Sequence, residues 1–335
     1  MPDLDLSDIL AARQRIRGVA QTTPLVPSAL SDTANGEIFL KLECMQPTGA
    51  FKLRGAANAV AVHAEKGTPA GFVSVSTGNH GRAVAFAARR AGIRASICLS
   101  KLVPDVKVRA IEALGAVVVR TGRSQDEAQI EADRLVREER LIEIPPFDDR
   151  YVIAGQGTIG LELLDAMPEL ETVVIPLSGG GLAAGVALAV KSMKPSIRVV
   201  GISMDRGAAM QASLAAGSPV AVEEVASLAD SLGGGIGLDN RLTFALCRDL
   251  LDEVILVSEQ EIYDGMRALY REDRIVAEGA SAVGHAALLS GKLQLDGPSA
   301  FLITGRNVDM EQFSAVAAGS PVRLGDMEVG GAGDA

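Results

Sequence analysis

Two hydrophobic rhythms alternate along this chain. Short apolar or alternating runs, the signature of strands, are separated by longer stretches whose apolar positions recur every three or four residues, the signature of helices. Residues 6–19 have helical spacing, with Ser7 or Asp8 as the cap. After the turn Thr22-Thr-Pro-Leu, residues 37–43 alternate as a strand. Residues 71–76, 95–100, 116–120 and 141–144 read as further strands, with helical patterns at 81–91, 106–114 and 125–138 between them. The second half repeats the theme, with strands at 172–177, 197–203, 253–257 and 299–303 and helices at 182–193, 259–271 and 280–289. Such alternation predicts an α/β fold with parallel sheets covered by helices. The cluster Gly233-Gly-Gly-Ile-Gly237 reads as loop, and residues 330–335 as a frayed tail.

Length and composition narrow the class. The 335 residues suffice for two domains or one large one, and 48% apolar against 22% charged residues is ordinary for a soluble globular protein. A net charge of −10 with no basic run argues against binding a phosphate backbone. Aromatic residues are 3% of the chain and Trp is absent, so there is no stacking platform for single strands. Cys44, Cys98 and Cys247 are scattered and odd in number, as buried thiols in a reducing compartment would be. His63, His80 and His285 fit no zinc spacing. The acidic start Met-Pro-Asp-Leu-Asp-Leu lacks a signal-peptide core, and no apolar run reaches membrane-spanning length. A cytoplasmic enzyme is expected, with no nucleic-acid or membrane partner.

Three segments carry chemistry. Gln46-Pro-Thr-Gly-Ala-Phe-Lys-Leu-Arg-Gly-Ala56 sets Lys52 between a turn and an apolar helical run. Partial desolvation there lowers the amine pKa, as a Schiff-base lysine requires. Ser178-Gly-Gly-Gly-Leu182 joins an apolar strand to a helix, so backbone amides can converge on a phosphate at a helix N-terminus. A tight structural turn is the plainer reading of that loop. A rival functional reading takes Gly179, Gly181 and Gly185 with Asp205 as a dinucleotide fingerprint. Ser76-Thr-Gly-Asn-His-Gly81 offers hydroxyls and amides at a helix N-terminus, which suits a carboxylate.

Together these motifs resemble the pyridoxal-phosphate enzymes of the threonine dehydratase and serine racemase family, over about residues 5 to 318. The resemblance implies two three-layer α/β domains with mostly parallel sheets, the fold type II, tryptophan synthase beta-like arrangement. One domain is then inserted in the other. Residues 1–47 and 146–320 form the large pyridoxal 5'-phosphate-binding domain, 48–145 the small domain and 321–335 a C-terminal tail. A homodimer acting on a small amino-acid substrate is also implied.

Residue by residue, the resemblance makes Lys52 the Schiff-base lysine and surrounds the cofactor with Phe51, Asn79, Ser178, Gly179, Gly180, Gly181, Leu182, Glu278 and Thr304. Asn79 would meet the ring oxygen, Glu278 would lie near the ring, and the Thr304 hydroxyl would meet the pyridine nitrogen. Ser76, Thr77, Gly78, Asn79 and His80 would hold the substrate, with His80 on the substrate side. Gly155-Gln-Gly-Thr158 would open a helix and position rather than react.

Departures from the family are informative. Ala50 stands where serine is frequent. Thr77 replaces the serine that racemases use as a second base, which counts against racemisation. Arg306 replaces a glycine. Ser203 and Gly207-Ala-Ala209 leave the family's divalent-cation site without carboxylates, so no metal is expected.

The reaction implied is β-elimination of water from a β-hydroxy α-amino acid. Thr48–Gly55, Gly122–Ala128, Ile144–Asp149, Ser203–Met210 and Thr304–Met310 are most similar to hydroxyectoine-utilisation dehydratases. Arg123, Gln125, Asp126 and Glu127 would then read a distal substrate group or cap a helix. A threonine/serine ammonia-lyase, a serine or hydroxyaspartate racemase-dehydratase and, outside enzymes, a Rossmann-type nucleotide-binding protein are the alternatives.

Overall fold

The computed structural model describes residues 4–33, 36–76, 78–103 and 105–331. The first half of the chain runs α1 (Leu6–Arg15), β1 (Leu25–Pro27), β2 (Ile38–Lys41), α2 (Lys52–Glu65), β3 (Phe72–Val75), α3 (Asn79–Arg90), β4 (Ala95–Ser100), α4 (Asp105–Glu112), β5 (Val117–Thr121), α5 (Gln125–Glu139) and β6 (Ile142–Glu143). Next come α6 (Arg150–Ala166), β7 (Thr172–Pro176), α7 (Gly181–Met193), β8 (Arg198–Met204), α8 (Ala209–Ala216), α9 (Leu242–Leu250) and β9 (Glu253–Val257). The chain closes with α10 (Glu259–Arg271), α11 (Gly279–Leu289), β10 (Ser299–Leu302), α12 (Met310–Ala318), β11 (Val322–Leu324) and β12 (Met327–Val329).

The strands form two main sheets. One has the order β1-β2-β10-β7-β8-β9 and is parallel except for β1; the other, β5-β4-β3-β6, is wholly parallel. Helices cover both faces of each, as parallel sheets require. In the larger sheet successive side chains feed opposite cores. Val173 and Ile175 pack with α6 and α7, while Val174 between them packs with α10 and α11. Leu53, Val60, Phe72 and Ile97 form a core on one face of the smaller sheet, and Val73, Val75, Ala128 and Leu135 one on the other.

Three expectations are corrected. The cap of α1 is Asp5, not Ser7 or Asp8; Asp5 accepts from Ser7 N–H while Asp8 reaches back to the Asp5 N–H. Residues 321–331 are no tail. β11 and β12 pair as a hairpin, and Val322, Leu324 and Val329 are buried in the core that holds Ile262 and Tyr263. Strands of three residues are too short for alternation to be recognised. Gly155-Gln-Gly-Thr158 lies inside α6 rather than opening it, because Asp149 caps that helix through the Tyr151 and Val152 N–H groups.

The glycines of that segment bring helices together. A Cβ on Gly155 would stand 2.5 Å from the Arg54 carbonyl oxygen and 2.6 Å from the Gly55 Cα, both in α2. One on Gly157 would stand 2.8 Å from the Gly185 carbonyl oxygen of α7. Backbone atoms cannot swing aside as a side chain can, so Gly155→Ala should destabilise the protein by about 1–3 kcal/mol through overpacking. Equilibrium denaturant unfolding checks this; an unchanged midpoint would mean that the α2–α6 contact yields without cost.

Candidate active site

Lys52 is the first residue of α2, and the loop before it is stitched to the segment that leaves β10. Gly49 turns with φ +78°, which favours glycine. The Phe51 N–H donates to the Thr304 carbonyl and the Arg306 N–H to the Gly49 carbonyl, each at 2.9 Å, and Ala50 bridges Gly305. The Lys52 Nζ donates to the Pro146 carbonyl at 2.7 Å and lies 5.4 Å from the centre of the Phe51 ring. Burial pushes its pKa down to about 8, with Glu278 opposing the shift.

Glu278 precedes α11 and is buried. It accepts from Asn79 Nδ2 at 2.9 and 3.1 Å and from Ser231 Oγ at 3.3 Å. Burial pushes its carboxyl up to about 7; the Asn79 hydrogen bond works against this and Asp230 adds to it. Gly305 lies so close that a Cβ there would collide with this carboxyl.

Thr304 is buried, with its hydroxyl 3.1 Å from that of Ser281 in α11. The Ser281 hydroxyl donates to the Gly305 carbonyl at 2.9 Å and accepts from the Gly305 N–H at 2.9 Å. Its one proton is thereby used, so Thr304 is the donor between the two hydroxyls.

The glycine loop follows β7. Gly180, at φ +87°, precedes α7 with no side-chain cap. The backbone N–H groups of Gly179, Gly180, Gly181 and Leu182 donate to no acceptor among the described residues. Behind them Phe147 fills the space that Cβ atoms on Gly179 and Gly181 would need, and Met210 and Cys247 do the same at Gly180. Ser178 is half-buried and Leu182 buried at this corner. Four free donors at a helix N-terminus fit a phosphate group, and the half-buried, partly desolvated amine of Lys52 fits an aldehyde carbon.

The third segment opens α3. Ser76 Oγ accepts from the Gly78 N–H at 3.4 Å, and Asn79 is the first helical residue. A Cβ on Gly81 would collide with the Ser76 carbonyl oxygen, so the turn tolerates only glycine there. Thr77 lies outside the described residues. His80 is buried, with Nε2 2.8 Å from the Ile144 carbonyl oxygen. Since that carbonyl only accepts, Nε2 carries the proton. Burial pushes its pKa down to about 3, and the charge of Lys52 adds to the fall, so the ring is neutral. Its Nδ1 is buried with no hydrogen-bond partner among the described residues.

Other expected positions separate. Ser124 caps α5 and the Glu127 carboxylate accepts from the Arg123 and Ser124 N–H groups, a capping box; the side chain of Gln125 lies outside what is described. Arg306 is exposed, and its guanidinium makes no hydrogen bond or ion pair among the described residues. Gly185, part of the dinucleotide pattern, is used for contact with α6.

Sequence reading missed Pro146 and Phe147, Ser281, Ser231, Arg82 and Asn307. Arg82 Nη1 donates to Asn307 Oδ1 at 2.7 Å, and Asn307 Nδ2 donates to Asn79 Oδ1 at 2.6 Å. The segments 144–149 and 304–310 stand out as motifs, but a motif does not say which of its atoms face the site.

Comparison with known proteins identifies the family. Residues 16–305 match the family described as pyridoxal-phosphate dependent enzyme. A Sinorhizobium fredii protein with the provisional name threonine dehydratase is 53% identical, over 92% of this chain and 94% of its own. The L-threonine ammonia-lyase of Thermotoga maritima is 40% identical, over 96% of this chain and 80% of its own. Among solved structures, maize serine racemase superposes with a TM-score of 0.87 at 34% identity, covering 92% of this chain and 95% of its own. The chain belongs to the pyridoxal-phosphate-dependent enzymes of fold type II, in the branch of threonine dehydratases and ammonia-lyases, and is a lyase that uses this cofactor.

Proposed function

We propose that the enzyme eliminates water from a β-hydroxy α-amino acid, releasing a keto product and ammonia, and that its substrate derives from hydroxyectoine. The observation that carries the elimination chemistry is the Lys52 amine, half-buried with one carbonyl partner and a pKa pushed down to about 8 by desolvation. At neutral pH a useful fraction of such an amine is uncharged, so it can attach the cofactor and later accept the substrate's α-proton. When bound, pyridoxal phosphate supplies the electron sink for the carbanion left at that carbon.

The chain's own groups would then divide the work. The free N–H groups of Gly179 to Leu182 hold the phosphate, and the N-terminus of α3 with Ser76 and Asn79 holds the substrate carboxylate. Thr304 faces the ring nitrogen with an uncharged hydroxyl, whose proton Ser281 also claims. Without a carboxylate there the ring nitrogen is not held protonated, which favours expulsion of a β-substituent over transamination. The hydroxyectoine assignment rests on the five motif segments, Thr304-Gly-Arg-Asn-Val-Asp-Met among them.

A second reading, threonine or serine as substrate, is favoured by the names of the relatives at 53% and 40% identity. Keto-acid and ammonia release by the purified holoenzyme decides between them. A hydroxyectoine-derived β-hydroxy amino acid should exceed L-threonine and L-serine in kcat/KM by at least about tenfold, or about 1.4 kcal/mol. The reverse order assigns threonine or serine, and no ammonia from any of them removes the elimination reading.

Three variants probe the residues. Lys52→Ala should abolish covalent cofactor attachment. In the native apoprotein the attachment rate should rise with pH and level off above about 8, since only the neutral amine attacks. A rise continuing to the ordinary lysine range near about 10.4 would contradict the buried setting.

Gly180→Asp meets Met210 and Cys247 behind the loop, at a φ that side chains rarely adopt, and adds a negative charge beside the phosphate. Cofactor affinity should fall at least about a hundredfold, or about 2.7 kcal/mol; native occupancy would remove the loop from the site.

Thr304→Asp should lower elimination about a hundredfold and raise the share of transamination. Native rates with no new product would place Thr304 away from the ring nitrogen.

A further inference from the structure

Asn79 can help a bound cofactor only if its amide points the right way, and an amide can turn over at little steric cost. The structure contains a device that prevents this. Asn79 and Arg82 lie three apart on α3, on one face of the helix, and both reach Asn307 beyond β10. The Arg82 guanidinium has donors only, so the Asn307 atom 2.7 Å from it must be the oxygen. The Thr48 carbonyl only accepts, so the Asn307 atom 3.0 Å from it must be the nitrogen. Asn307 is thus fixed at both ends by groups whose polarity cannot change. Its second N–H goes to Asn79 Oδ1 at 2.6 Å. That leaves the Asn79 NH2 turned toward Glu278, at 2.9 and 3.1 Å, on the side of Lys52 and Gly305.

We propose that Asn307, pinned by Arg82 and the Thr48 carbonyl, is a positioning residue that fixes Asn79 as a hydrogen-bond donor toward Glu278 and the ring oxygen of the bound cofactor. The inference rests on the assignment of Asn79 to that ring oxygen. Its physical content is a one-way chain of donors, from a cation that can never accept to a carboxyl that can, with each amide oriented by the one before. The direction originates in Arg82, one side chain further from Glu278 than Asn307.

Asn307→Asp is the direct test, because it keeps the shape and removes the donor. The introduced carboxylate would accept from Arg82 and from Asn79, so Asn79 would turn its NH2 outward and present its oxygen to Glu278. With the donor withdrawn, the lysine-bound cofactor should lose at least about half of its visible band to the near-ultraviolet band. Cofactor Kd, from titration of the apoprotein, should rise at least about tenfold. In a double-mutant cycle, Asn307→Asp should change neither quantity further once Asn79→Ala is present.

A native spectrum and Kd in Asn307→Asp overturn the proposal, as do effects that add in the double variant. If Asn79→Ala alone leaves both readouts native, the assignment of Asn79 fails and this proposal with it. A response to Asn79→Ala without one to Asn307→Asp removes this proposal alone. Should Asn307→Asp not fold, Arg82 replaces it as the probe. Arg82→Lys, still donor-only, should keep the native band ratio, while Arg82→Gln, which can present either atom, should lower it. Equal behaviour of the two also overturns the proposal.

Discussion

The buried charge cluster around Arg54 is the constraint on which the site depends. Arg54 stands two residues after Lys52 in α2 and is almost wholly inaccessible, as are Glu43, Lys41 and, nearly so, Glu162. Its guanidinium donates to both Glu43 oxygens at 2.7 and 2.8 Å and to both Glu162 oxygens at 2.7 and 2.8 Å. Lys41 shares Glu162 at 2.6 Å, Thr158 accepts the second Nη1 proton of Arg54, and the Gln21 carbonyl shares the two Nη2 protons with the carboxylates. Burial disfavours the guanidinium charge, but the two carboxylates outweigh it and raise its pKa. Two cations and two anions cancel, and Thr23, Gln46, Thr158 and the Gln21 carbonyl supply the hydrogen bonds that the four charges do not give one another. Such a cluster adds little net stability compared with an apolar one, but it admits a single geometry, because any slip leaves a charge unpaired in a dry interior. It therefore locks the first turn of α2 to the ends of β2 and to α6, and Lys52 begins that turn.

A fixed, dry setting explains the titration behaviour next to it. Lys52, His80 and Glu278 are all displaced toward their uncharged forms, with burial as the leading cause in each case. The displacements are linked. The charge of Lys52 depresses His80, and Glu278 partly restores the charge of Lys52. The outcome near neutral pH is a neutral imidazole, an amine with a deprotonated fraction and a carboxyl close to its midpoint. Of these groups only the carboxyl receives donors from Asn79.

Much of this is legible in the sequence, and what is not has a common cause. The strand Glu253–Val257 and the helix Glu259–Arg271 follow from local pattern, helped by Ser258 and Glu261, whose spacing forms a capping box. The strand–glycine loop–helix unit around Ser178 is legible for the same reason, since its parts are adjacent in the chain. Lys-Leu-Arg-Gly stands out as a frame, yet the roles of its last two residues are hidden. Arg54 meets Glu162 across 108 positions, and Gly55 meets Gln156 and Val152 of α6. The Asn79–Asn307 contact spans 228 positions. Periodicity carries information only over a few turns or strands, so pairings at such range leave no local trace.

The glycines show how these long-range relations assemble the site. α2, which carries Lys52, touches α6 where Gly55 and Gly155 remove the side chains between two backbones. α6 touches α7, which follows the glycine loop, where Gly157 faces Gly185 and where Gly160 admits Ala189 and the Val186 carbonyl. Two close contacts, back to back on one helix, therefore set the distance between the amine and the glycine loop. On the proposed assignment, a cofactor held by its aldehyde at Lys52 and its phosphate at the glycine loop demands that this distance be fixed. Helices separated by ordinary side chains pack with interaxial distances of about 8–10 Å that vary with the residues between them. Backbone resting on backbone removes that variable. The charge cluster adds a second constraint on α2 against α6, because a shift of either helix would part Arg54 from Glu162 in a dry interior.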